Sequence, residues 1–171
     1  MNSDAAVLLL VDLQERLVPA VHDGERVVAR ATRLAEAATL LDVPVIATEQ
    51  VPDKLGPTVE ALAGFPHLVM AKSRFAADDD ALFPPGRREV VVAGVEAHVC
   101  VLQTVLELVG PDRRVLVVAD AVGSRSPDDE ALALQRARAA GAEVVSSEMV
   151  LFEWLRDAAH PRFREVQKLL M

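Results

Sequence analysis

Ala6-Val-Leu-Leu-Leu-Val11 is an uninterrupted apolar run that stops on an acid, Asp12. Its length is that of a strand. Nothing in it alternates, so such a strand must be covered on both faces, as strands inside parallel sheets are. Similar runs recur at 44–48, 67–71, 89–94, 114–119 and 143–146. The segments between them carry helical spacing. Over 25–41 the apolar residues Val27, Val28, Ala31, Leu34, Ala35, Ala38 and Leu41 fall at three- and four-residue steps. Ser126 and Pro127 read as an N-cap and a proline at the first helical position of a helix that runs to Ala140 and stops at Gly141. Further helices are expected at 59–62, 98–108, 148–155 and 161–170, with one acid-capped turn at 78–83 that begins on Asp78, Asp79 and Asp80. Strands alternating with helices predict an α/β protein: a three-layer α/β/α sandwich on a six-stranded, mostly parallel sheet of Rossmann-like order 3-2-1-4-5-6. No Pro/Gly/Ser-rich linker divides residues 1–171, which predicts a single domain.

Composition narrows the function classes. The chain has 171 residues, 51% hydrophobic and 26% charged, with a formal net charge of −8. That surplus of acid runs against nucleic-acid backbones and anionic membranes, which require Lys and Arg. The first apolar run is too short to span a bilayer and has no basic flank, so it does not read as a leader. One cysteine, Cys100, excludes an internal disulfide and a Cys-rich zinc site. These features predict a cytoplasmic protein whose partner is a small molecule. His22, His67 and His160 share no metal-ligand spacing.

In a doubly wound sheet the site lies at the carboxyl ends of the strands, where strand order reverses. For the predicted order, strands one and four flank that point. The residues just beyond them are Asp12 and the segment 95–100, which holds the only thiol. Lys72 follows strand three and reaches the same edge only by extending back over the strand ends. Each residue alone has a plain structural explanation: a buried thiol, a turn-capping acid, a solvated lysine. Together they supply what a cysteine nucleophile requires. A carboxylate takes the thiol proton, an ammonium stabilises the charged forms, and N–H groups at a helix start receive an oxyanion. The helix start and Lys72 predict an acidic Cys100, with a pKa below about 7.5.

The segments Val11-Asp-Leu-Gln14, Ala71-Lys-Ser-Arg-Phe75 and Gly94-Val-Glu-Ala-His-Val-Cys-Val101 resemble, in order and spacing, those of the isochorismatase-like cysteine hydrolases. The likeness extends over nearly the whole chain. The loop Thr48-Glu-Gln-Val-Pro-Asp-Lys-Leu-Gly-Pro-Thr58 is similar to that of isochorismatase-domain-containing hydrolases. The resemblance implies a triad of Asp12, Lys72 and Cys100 that hydrolyses an amide or related C–N bond. It also implies a cis Val95–Glu96 peptide, an oxyanion hole of the Glu96 and Cys100 N–H groups, no cofactor, and a homo-oligomer. Nicotinamidases of the family carry an Asp-x-His metal pair after strand two. Here Thr48-Glu49-Gln50 stands in its place, so no metal is expected. Glu96 and Ala97 replace the usual Ala-Thr, and His98 is a further departure. Gln14, two residues after Asp12, is a candidate to orient it or to cap a turn. Phe75 is a candidate pocket wall or core residue, and His98 a candidate pocket residue or a structural one. Asp120 reads as turn support. Two other function classes stay open on sequence: an idle binding protein on the same fold, and a thiol redox sensor.

Overall fold

A computed structural model describes residues 1–77 and 79–170. Six parallel strands, β1 (Ala6–Val11), β2 (Val45–Gln50), β3 (Leu68–Lys72), β4 (Glu89–Val95), β5 (Arg114–Gly123) and β6 (Glu143–Val145), form one sheet in the order β3-β2-β1-β4-β5-β6. This is the predicted order, and every neighbouring pair is parallel. All six residues of β1 are buried. Its side chains alternate between two cores. Leu8 and Leu10 pack with the helix α1 (Gly24–Leu40), through Val27, Ala31, Leu34 and Ala38, and with Trp154 of α6 (Ser147–Leu155). Val7, Leu9 and Val11 pack on the opposite face with α4 (Leu102–Leu108) and α5 (Pro127–Ala139), through Leu102, Val105, Ala133 and Ala137. Each fully buried Leu or Val side chain contributes about 1.5–3 kcal/mol, so the central strands hold the layers together.

Three short helices complete the chain: α2 (Pro52–Leu55), α3 (Glu60–Ala63) and α7 (Phe163–Lys168). The expected acidic turn exists as a 3-10 turn at Asp80–Leu82, capped by the Asp79 side chain on the Ala81 N–H. Asp78 lies outside the described residues. Ser126 stands at the N-terminus of α5 but makes no side-chain cap bond. The acids Asp128, Asp129 and Glu130 in the first turn complement the helix dipole instead.

The strands that lead to the site run longer than their apolar cores suggest. β5 continues past Val118 because its register with β4 shifts between Val92 and Gly94, after which Gly94 pairs with Val122 and Val95 with Gly123. Asp120 therefore lies inside a strand and not in a turn. Its carboxylate accepts from the Ser147 N–H at 2.7 Å and from the Ser147 hydroxyl at 2.6 Å, which seats the first turn of α6. Gly94 is required where it stands. Its φ is +139°, and a Cβ there would fall inside the Val11 carbonyl. The close approach of β4 to the end of β1 depends on a residue without a side chain.

Candidate active site at the carboxyl edge of the sheet

Between β1 and β4 the strand order reverses, and Asp12 and Cys100 arrive at the carboxyl edge from the two sides. Asp12 turns out of β1 with a left-handed φ of 52°. Its N–H donates to the Thr48 carbonyl at 3.1 Å. The side chain is completely buried. Two donors hold the carboxylate: the Thr48 hydroxyl on Oδ1 at 2.7 Å and Lys72 Nζ on Oδ2 at 2.6 Å.

Lys72 reaches Asp12 across the end of β2, where its register partner is Gln50. Gln50 Oε1 accepts from Nζ at 2.7 Å, and the carbonyls of Phe75 and Arg74 accept from it at 3.0 and 3.3 Å. An ammonium has three protons, so these four acceptors saturate it. Gln50 is fixed in turn. Its Nε2 donates to the Ser73 carbonyl at 2.8 Å, and its backbone N–H donates to Gln14 Oε1 at 2.8 Å.

Cys100 sits in a single π-helical turn, Ala97–Val101, that links β4 to α4. Such turns are uncommon and often accompany functional sites. Thr104 fixes it by donating to the Cys100 carbonyl at 2.7 Å while accepting from the Ala77 N–H at 2.9 Å. Cys100 is 5% exposed. Its thiol donates to the Asp12 carboxylate, and the Glu96 backbone N–H faces it. The Val95–Glu96 peptide is cis. Burial, followed by the Asp12 charge, pushes the Cys100 thiol up from 9.0 to about 12, while Lys72 and the Glu96 N–H pull it the other way. The expected acidic thiol is thereby overturned. Lys72 is already matched by Asp12, so the sulfur meets a compensated ion pair in a dry site and feels the acid more strongly than the ammonium.

The remaining candidates take definite places. Gln14 is buried; its backbone N–H donates to the Asp12 carbonyl at 2.8 Å, but its side chain does not bond the Asp12 carboxylate. Its amide donates to the carbonyls of Gln50 and Gly56 at 3.1 and 2.6 Å, which ties the β2 end to the following loop. The residue that orients Asp12 is Thr48. Phe75 contributes its carbonyl to Lys72, and the residue is 49% exposed, so it is not core. The Glu96 side chain leaves the sulfur and accepts from Arg125 Nε on both oxygens, at 2.9 and 3.0 Å. His98 Nδ1 lies 2.9 Å from the buried Ser124 hydroxyl and 3.7 Å from Glu96. Glu49, the carboxylate after β2, accepts from the Thr58 N–H and hydroxyl at 2.7 and 2.8 Å. Among the described residues no group of three or more His, Cys, Asp or Glu converges as a metal site.

Thr48, Gln50, Ser124 and Arg125 were not singled out from the sequence. A signal for the first two existed. They are polar residues two apart at the carboxyl end of an apolar strand, which puts them on one face beside Asp12 and Lys72.

The comparisons with known proteins agree with this geometry. The isochorismatase domain matches residues 6–149. Isochorismatase domain-containing protein 2 of Xenopus laevis is 39% identical over 176 residues, covering 100% of this chain and 86% of that protein. The structure of a MAR1 ribonuclease from Caenorhabditis elegans superposes with a TM-score of 0.92 at 35% identity, covering 99% of this chain and 91% of that one. YcaC from Pseudomonas aeruginosa, solved with hexane-2,5-diol and covalent acrylamide, superposes with a TM-score of 0.86 at 26% identity, covering 99% and 90%. By the extent of these matches, on a sheet whose reversal point gathers Asp12, Lys72 and Cys100, the chain belongs to the isochorismatase family, whose fold supports a hydrolase.

Proposed function

We propose that the protein is a cysteine-dependent hydrolase of small molecules that contain an amide or a related C–N bond. The observation that carries this is the contact of a neutral Cys100 thiol with an Asp12 carboxylate that Lys72 and Thr48 hold in place. With so high a pKa the thiolate does not pre-exist. Proton transfer to Asp12 accompanies attack of the sulfur on the carbonyl carbon. The oxyanion forms on the Glu96 and Cys100 N–H groups. Asp12 returns the proton to the departing nitrogen as the C–N bond breaks, leaving a thioester. Asp12 then takes a proton from water as the water oxygen attacks the thioester carbon; the C–S bond breaks, Asp12 returns that proton to the sulfur, and the carboxylic acid leaves with the Cys100 thiol restored. Lys72 holds the Asp12 carboxylate in place from the side opposite Thr48. The covalent acrylamide in the Pseudomonas aeruginosa relative supports the presence of a nucleophile in that protein.

The name of the Caenorhabditis elegans relative favours a second reading, RNA hydrolysis. The net charge of −8 runs against it. One experiment separates them: a panel of primary amides, ureides, isochorismate and a single-stranded RNA oligonucleotide, read by ammonia or product release. Ammonia release from an amide or ureide is expected, with no RNA cleavage. Asp12→Asn, Lys72→Ala and Cys100→Ala are each expected to reduce turnover by about 10³-fold or more, and the double variants by little further, because the three act as one unit. Wild-type rates in Cys100→Ala would overturn the proposal.

A further inference from the structure

We infer that His98 is a positioning residue of the oxyanion hole: its bond to Ser124 holds the Glu96 and Cys100 N–H groups at one spacing. This rests on the cysteine-hydrolase reading and on the hole that reading uses. His98 lies midway in sequence between those two residues, inside the π-helical turn Ala97–Val101. One face of the turn is fixed by apolar packing, where Ala97 and Val101 join the core that holds Ala133 and Ala137 of α5. On the polar side, Glu96 and His98 tie the turn to the residues that follow β5.

The end of β5 supplies a fixed base. Gly123 pairs with Val95, and the next residue, Ser124, is completely buried, its carbonyl accepting from the His22 N–H at 2.9 Å. The Ser124 hydroxyl stands 2.9 Å from His98 Nδ1 and has no other partner among the described residues. Two carboxylates flank the imidazole, Glu96 at 3.7 Å and Asp129 at 4.0 Å. Both lie beyond hydrogen-bond distance, so Ser124 is what orients the ring. The neighbouring tether is of another kind. Glu96 binds Arg125, whose side chain is 62% exposed, and solvent screens that pair. Thr104 holds the far end of the turn, at the Cys100 carbonyl. The contact to Ser124 is therefore the one seated between the two donors of the hole. Such donors must lie about 2.7–3.1 Å from the oxyanion. A turn free to shift loses that match while the sulfur stays where a reagent can meet it.

Two probes of Cys100 separate placement of the hole from reactivity of the thiol, and neither needs a known substrate. 4-Nitrophenyl acetate acylates the sulfur through a tetrahedral oxyanion: the S–C bond forms, Asp12 receives the thiol proton and nitrophenolate leaves. Iodoacetamide alkylates it at a saturated carbon: Asp12 again receives the proton, iodide leaves, and no oxyanion forms. Both reactions are followed at Cys100 by mass spectrometry, with Cys100→Ala as the blank. His98→Ala is expected to slow acylation about 10–100-fold while alkylation changes by less than about twofold. His98→Asn, which keeps an amide where Nδ1 stood, should recover most of the acylation rate. His98→Gln, whose amide reaches the Nε2 position instead, should not. Ser124→Ala should match His98→Ala, with little further loss in the double variant. A merely structural His98 would slow both probes together. That result, or wild-type acylation in His98→Gln, would overturn the positioning role and leave the nucleophile standing. Alkylation without acylation in the wild type would remove the hole, and labelling by neither probe would overturn the nucleophile reading; this inference falls with either.

Discussion

The protonation of Cys100 is decided by its neighbours. A thiol whose pKa rises on folding holds its proton more tightly in the native state. The stability this provides is complete below the unfolded value near 9.0 and is lost as pH climbs toward the folded value of about 12. Wild-type protein should therefore lose stability more steeply than Cys100→Ala across that window, by about 1.4 kcal/mol for each pH unit. Urea unfolding at a series of alkaline pH values measures the difference. The chain has no tyrosine, so thiolate absorbance can be followed directly, with its midpoint expected above 9.0. Equal slopes and a midpoint below 9.0 would mean that Lys72 prevails over burial. Thr48 belongs to this scale too. It gives Asp12 a neutral donor opposite Lys72, and the two contacts together fix the plane of the carboxylate.

At the level of elements, the site depends on how closely two strands approach and how one helix begins. Gly94→Ala puts a Cβ into the Val11 carbonyl at a φ of +139°. It should cost about 2 kcal/mol or more of stability and, by displacing Asp12 one residue on, abolish most turnover. Asp120→Ala provides the contrast. Asp120 holds the first turn of α6 through Ser147 on the α1 side of the sheet. The loss should be about 1–2 kcal/mol with kcat and KM unchanged, because α6 packs away from Cys100. Thermal unfolding paired with steady-state kinetics distinguishes the two outcomes. A Gly94→Ala variant with wild-type kinetics would contradict the close-approach argument.

For the whole molecule, the informative surface is the edge of the sheet. β3 is an outer strand with Leu68 43% and Val69 46% exposed. An edge with unpaired N–H and C=O groups and apolar side chains invites pairing with another chain. A homo-oligomer is therefore expected, with a mass that is a multiple of 18.4 kDa by light scattering. Val69→Lys, which charges the edge, should shift it to smaller species. A wild-type mass of 18.4 kDa would remove this reading of β3. No helix of the described residues is long and apolar enough to cross a membrane.

Strand order, layer count and the convergence of Asp12 and Cys100 were legible in the sequence, for a local reason. An apolar run without alternation requires cover on both faces, helical spacing supplies the cover, and parallel connections place both residues at one sheet edge. Motif order and spacing carried the family and the cis Val95–Glu96 peptide. Distances between segments far apart in the chain were not legible, and these decided the chemistry. Whether Lys72 could cross to Asp12 depended on Gln50 holding its ammonium from the neighbouring strand. Whether Thr48 or Gln14 oriented Asp12 depended on β2 extending to Gln50, because Gln14 then binds backbone and Thr48 faces the acid. The thiol rested in its protonated form because desolvation and the balance of two opposite charges are sums over the whole surroundings, and no spacing along the chain encodes such a sum.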